Sequence, residues 1–146
     1  MGNERVLVSA CLLGVGCRFD GAAKLNAEVV RFSETWCLVP VCPEQLGGLS
    51  TPRSPAQINS GSGDDVLDGT ASVLADDGTD VTAAYMCGAR QTLEIARILG
   101  ATRAMLKEKS PACGVNLVYN NGVLVEGRGV ATALLLREGI RVEAAS

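Results

Sequence analysis

The chain contains no histidine. That absence excludes imidazole acid/base chemistry, Ser-His and Cys-His nucleophile pairs, and every zinc site built on imidazole. Aromatic residues are nearly absent too, at 3%, which leaves few platforms for stacking and points to a ligand held by backbone groups, glycine-lined surfaces and polar side chains. There is no basic run: 13 Lys plus Arg stand against 16 Asp plus Glu for a net charge of −3, so the electrostatic footprint of a nucleic-acid binder is missing and a small-molecule partner is expected. No apolar stretch approaches the roughly 20 residues that span a bilayer. Nor does a signal-peptide pattern precede the strand-like Arg5 to Ala10, so no membrane partner is expected and the location expected is cytoplasmic.

What is present is cysteine, six residues in 146. A chain of this length with 47% hydrophobic residues builds a core without disulfides, so these thiols are expected to be reduced, liganded or simply buried. One domain over 1–146 is the default for this length. Three of the cysteines stand where an apolar run stops: Cys11 after Val6 to Ala10, Cys42 after Leu38 to Val41, and Cys113 shortly after Met105-Leu106. Val- and Leu-rich runs separated by helix-like stretches read as strands of a Rossmann-like, mostly parallel α/β sheet flanked by helices, with small β-hairpin additions. In such a sheet the carboxyl ends of the strands form the ligand-binding rim. Three thiols on that rim suggest a metal site with one position left open. Pro43 removes a backbone donor after Cys42, and Gly114 would let the backbone approach a bulky ligand after Cys113.

The remaining pattern places the elements. Leu12 to Gly21 is a glycine-rich loop carrying Cys17, followed by a helix from about Leu25 to Glu34 and a strand over Trp36 to Val41. Pro43 to Asp65 reads as a long irregular segment, of the kind that is functional or disordered. Val66 to Leu74 and Asp77-Gly78 read as a small hairpin. Asp80 or Thr82 caps a helix to about Leu99, stopped by Gly100, with Ala84, Cys87, Leu93, Ile95, Ala96 and Leu99 on its apolar face. A strand over Thr102 to Lys107 leads to the third cysteine, Asn120-Asn121-Gly122 turns a second hairpin, and a helix over Val130 to Arg137 precedes a closing strand over Ile140 to Val142.

Cys37, inside an apolar strand, and Cys87, on the helix's apolar face, read as small buried hydrophobes. Cys17 is open between fourth ligand, neighbouring thiol and passive loop residue. Glu44, two residues after Cys42, brings a carboxylate within reach for acid or base duty. Ser110 precedes Pro111 and is placed to orient a water or donate to substrate. Arg53, between Pro52 and Ser54, offers a fork of donors to a polar substrate. Asp20 and Lys24 read as a local ion pair. Distant cysteines lean weakly toward iron–sulfur over zinc.

Four segments in order resemble the bacterial thiouracil desulfidases (domain of unknown function 523). They are Ser9-Ala10-Cys11-Leu12-Leu13-Gly14 leading to Arg18-Phe19-Asp20-Gly21 and Lys24; Pro40-Val41-Cys42-Pro43-Glu44 with Gly47-Gly48-Leu49 and Pro52-Arg53; Asp80-Val81-Thr82; and Lys109-Ser110-Pro111-Ala112-Cys113-Gly114. The likeness runs on through Gly129 to Leu134 and Gly139 to Val142. It implies a 4Fe-4S cluster held by Cys11, Cys42 and Cys113, with the fourth iron free to take sulfur from a thiolated nucleobase, and with Glu44 and Ser110 assisting catalysis. Phe19 and Ala112 stand where many relatives carry Tyr and Ser. A cluster-bearing sulfide carrier or redox sensor, and a zinc or thiol redox site using Cys17, are the alternatives.

Overall fold

The computed structural model describes residues 4–146; residues 1–3 of the expected domain lie outside the described part. The first sheet is built from β1 (Arg5–Ser9), β2 (Cys37–Val41), β5 (Arg103–Lys107) and β8 (Arg141–Ala145), in the order β2-β1-β5-β8 and parallel throughout. Its central strands are as apolar as the parallel arrangement demands, since both faces are covered. Leu7 joins the core on one side of the sheet, with Ala89, Leu93, Ala104, Leu106 and Leu135. Val6 and Val8 alternate to the other side, with Leu12, Val29 and Met105.

Between these strands run α1 (Ala27–Arg31), α2 (Pro43–Leu46), α3 (Gly63–Leu67), α4 (Thr82–Leu99) and α5 (Val130–Arg137). The first helix starts later than the apolar pattern predicts because Asn26 caps it, its Oδ1 accepting from Val29 N at 3.1 Å; a 3-10 turn over Phe32–Glu34 completes it. On α4 the buried face is Tyr85, Gly88, Ala89, Thr92, Leu93 and Ala96. That stripe is rotated from the expected one: Leu99 and Cys87 are only half-buried. Residue 81 rather than 80 or 82 is the N-cap, with Asp80 accepting from Thr82 N and Thr82 Oγ1 from Val73 N.

The hairpin additions gather into a second four-stranded sheet, β4-β3-β6-β7, from β3 (Ala56–Asn59), β4 (Ser72–Ala75), β6 (Leu117–Asn120) and β7 (Val123–Glu126). The segment 43–65 is therefore far from irregular, since it supplies α2, β3 and the start of α3. The expected hairpin over 66–74 is corrected as well: Val66 and Leu67 are helical, and β4 pairs antiparallel with β3 across α3. Asn121 and Gly122 turn the β6–β7 hairpin with φ of 50° and 82°, the left-handed pair that matches strand twist.

Cys37 corrects a reading made above. It lies on the outer strand of the first sheet and is exposed rather than buried.

Candidate active site

Three of the four strands lead to one cysteine each. β1 runs directly into a 3-10 turn over Ala10–Leu13 that buries Cys11; β2 is followed at once by Cys42, the N-cap of α2; and β5 leads into the loop that buries Cys113. All three thiols, together with Cys17, line one cavity of about 390 Å³. The cavity lies where this rim faces the second sheet, which contributes Ala56, Gln57 and Tyr119 to the opposite wall. Glu44, Arg53 and Ser110 line the same cavity, so the structure brings together every residue singled out for the site. Three of the chain's aromatic side chains are there too, Phe19, Tyr85 and Tyr119, a larger aromatic share than the composition suggested.

Cys17 is buried, and Cys42 Sγ donates to Cys17 O at 3.7 Å. The closeness of the Cys11 and Cys17 thiols lowers the Cys11 pKa and raises that of Cys17. Cys42 is pushed up by its bond with Cys17, by burial and by the charge of Glu44, whose Oε1 lies 3.7 Å from the Cys42 sulfur. Burial first, and Glu44 second, push the buried Cys113 well above its ordinary value. Thiols packed this closely beside a carboxylate do not ionise together without a cation to compensate them. A cationic iron–sulfur centre satisfies that demand, so the donor set fits the group that the resemblance implies. Among the described residues no three His, Cys, Asp or Glu side chains are grouped closely enough to hold a single metal ion.

Glu44 is buried at 9% exposure, and its Oε2 is 3.8 Å from Arg53 Nη2. Arg53 in turn donates to Cys17 O at 2.9 Å, to Thr51 Oγ1 and to Ser50 O. Its guanidinium is thus spent largely on the protein, tying the Cys17 loop to the helix that carries Glu44. Asp20 accepts from Ala22 N instead of pairing with Lys24. Ser110 Oγ accepts from Ala112 N and Cys113 N, both at 3.0 Å; it folds the cysteine loop over itself and keeps its own O–H free to donate. Gly114 also differs from expectation. A Cβ there would meet Leu117 O at 2.6 Å and Ser110 O at 2.7 Å, so the close approach is to the loop's own backbone.

Two residues of the site escape sequence reasoning. Tyr85 is one, hidden as an ordinary member of a helix face. The other is Glu108, which sits between two lysines and so looks solvated, yet is buried beneath the cysteine loop. Its Oε1 accepts from Val115 N, Asn116 N, Leu117 N and Lys109 N, and its Oε2 from Asn116 Nδ2. Burial raises the Glu108 pKa, and the N–H donors of Leu117, Asn116, Val115 and Lys109 more than offset it, holding the carboxyl below its ordinary 4.5. A depressed pKa contributes stability that is complete above the unfolded value and lost as pH falls through the folded one. Acid unfolding of the native chain and of Glu108→Gln should therefore converge below about pH 4.5, with the native chain the more stable above it; parallel curves would remove Glu108 from this role.

A family model for 2-thiouracil desulfurase matches residues 6–146. The chain belongs to that family. The uncharacterized protein YbbK of Bacillus subtilis (strain 168) is 44% identical over 140 residues, covering 94% of this chain and 93% of its own length. The solved structure of the 4Fe-4S-dependent thiouracil desulfidase TudS superposes with a TM-score of 0.84 at 38% identity, over 97% of this chain and 90% of that one. The family's fold is therefore the α/β arrangement described above, and the cavity sits on its rim.

Proposed function

We propose that the protein is a 4Fe-4S-dependent desulfidase that converts a thiolated nucleobase, 2-thiouracil or a close relative, to the oxo base and hydrosulfide. The observation that carries this reading is the convergence of Cys11, Cys42 and Cys113 on one cavity with Glu44 and Ser110, in a chain of the desulfurase family. Those three thiolates would hold the cluster, leaving Cys17 as a hydrogen-bonding neighbour. When bound, the cluster supplies a soft Lewis acid toward the thiocarbonyl sulfur.

The chain's own residues do the rest. Glu44, buried beside the thiols, takes a proton from the water that attacks the ring carbon and returns one as the C–S bond breaks. Arg53 keeps that carboxylate aimed into the cavity and contributes to the wall that holds the substrate. Ser110, with its oxygen occupied by two backbone N–H groups, donates its proton to water or substrate. The net reaction exchanges sulfur for oxygen at constant oxidation state, so it needs no electron donor and is hydrolytic in character.

The whole of residues 1–146 serves as one desulfidase domain, working in the cytoplasm on a small molecule. No helix among the described residues is long and apolar enough to cross a membrane. Glu44→Gln tests the reading directly. The variant should keep the visible spectrum and iron content of the native protein while 2-thiouracil turnover, followed as uracil and sulfide, falls about 100-fold or more. Turnover at the native rate would take Glu44 out of the mechanism, and a native brown protein that leaves 2-thiouracil intact would discard the substrate.

A further inference from the structure

Tyr85 has a polar atom that the protein leaves unused. The residue is 4% exposed, on the buried face of α4, and lines the cavity beside Cys42, Glu44, Arg53 and Cys113. Several of the other polar groups there are engaged in part, although Ser110 keeps its O–H free to donate. Arg53 serves Cys17 O and the Ser50–Thr51 backbone and hydroxyl, Ser110 Oγ holds two backbone N–H groups, and Gln57 Oε1 accepts from Gly122 N. Among the described residues the Tyr85 hydroxyl has no hydrogen-bond partner, and it is not sealed away from the cavity either. It is thus no buried unsatisfied group in the free protein but a hydroxyl that opens onto the cavity with its O–H free. One that faces a ligand pocket is matched when the ligand brings an acceptor.

We propose that the Tyr85 hydroxyl is the hydrogen-bond donor for the ring carbonyl that a thiolated pyrimidine carries beside its thiocarbonyl. The inference rests on the function proposed above and names what that site selects: a six-membered thioamide ring bearing a second, oxygen acceptor. Sulfur is the weaker acceptor and belongs with the thiols and their metal, whereas the Tyr85 O–H is a hard donor suited to an oxygen acceptor. Burial and then the charge of Glu44 push the phenol's pKa up, so it remains a donor at every working pH. Its place is fixed by backbone rather than by side-chain chance, since α4 meets α2 through Gly88 and Gly47 one turn from Tyr85.

Tyr85→Phe removes the oxygen and keeps the ring. In cluster-loaded protein of unchanged iron content and spectrum, the dissociation constant for uracil, measured by titration calorimetry, should rise about tenfold. The preference in kcat/KM for 2-thiouracil over pyrimidine-2-thione, which keeps the thiocarbonyl and lacks the second carbonyl, should shrink by a similar factor. Unchanged uracil affinity, an equal loss on both substrates, or a native protein that does not bind uracil would overturn the assignment. Tyr85-dependent uracil binding in a native protein that desulfurates nothing would instead uphold Tyr85 as the donor and overturn the reaction.

Discussion

Cys113→Ser should yield a folded protein that retains less than about one iron per chain where the native protein takes up about four. The exchange replaces sulfur with oxygen in a buried position on the cavity wall, and a hydroxyl there is a poor ligand for iron because it neither matches its softness nor ionises. The fold has little reason to fail. The loop around Cys113 is fixed by its backbone: Thr132 Oγ1 donates to Cys113 O at 2.9 Å, and α5 takes up Pro111 O and Ala112 O through the N–H groups of Val130 and Ala131. Those N–H groups are among the first of α5, which have no partner within the helix. Iron analysis with circular dichroism separates loss of metal from loss of fold. Cys87→Ser, on α4 and bonded to Gln91, should keep its full complement, and so should Cys17→Ser. If Cys17→Ser lost as much iron as Cys113→Ser, Cys17 would be a fourth ligand.

Gly88→Ala should be the most damaging single methyl in the chain. A Cβ on Gly88 would lie 1.9 Å from Pro43 O, and one on Gly47 would lie 2.0 Å from Ala84 O, so α2 and α4 touch backbone to backbone at two points. Neither contact involves the end of a flexible side chain, and relief requires one helix to move. The expected cost is about 3 kcal/mol or more, seen as a fall of roughly 6–12 °C in Tm for a domain of this size. Because Cys42 caps α2 and Glu44 lies within it, the same displacement would open the cavity wall, and iron uptake should drop with stability. A Tm within 1–2 °C of native, about the effect of an ordinary surface substitution, would show the crossing to be looser than its distances indicate.

The placement of Cys11, Cys42 and Cys113 was legible because strand ends are marked twice, by the end of an apolar run and by the Gly, Pro or polar residue that follows. Family motifs then supplied the cluster. The second sheet was not legible in the same way. β3 and β4 are separated by a helix, and β3 meets β6 through the single parallel pair Ile58–Asn120, so no local turn signal joins them. Cys37 misled because an apolar neighbourhood in sequence says nothing about whether a strand lies at a sheet's edge. Tyr85 and Glu108 were hidden for a related reason. Their chemistry comes from what surrounds them, an unoccupied side of a cavity in one case and a ring of backbone N–H groups in the other, and neither environment is contiguous with the residue itself.

The strand order β2-β1-β5-β8 also bears on how the protein is made. β1 emerges first from the ribosome and finds β2 soon after, but the place on its other side is kept for β5, which is synthesised much later. Pairings of such long sequence separation form slowly and late. Until β5 has inserted, Cys11, Cys17 and Cys42 stand on a half-built rim without Cys113 and its enclosing loop. A cluster held by Cys11, Cys42 and Cys113 would thereby be loaded only on the completed chain. Such a centre would tie both flanks of β1 together, and mass action would then favour the closed sheet over every partly unfolded form.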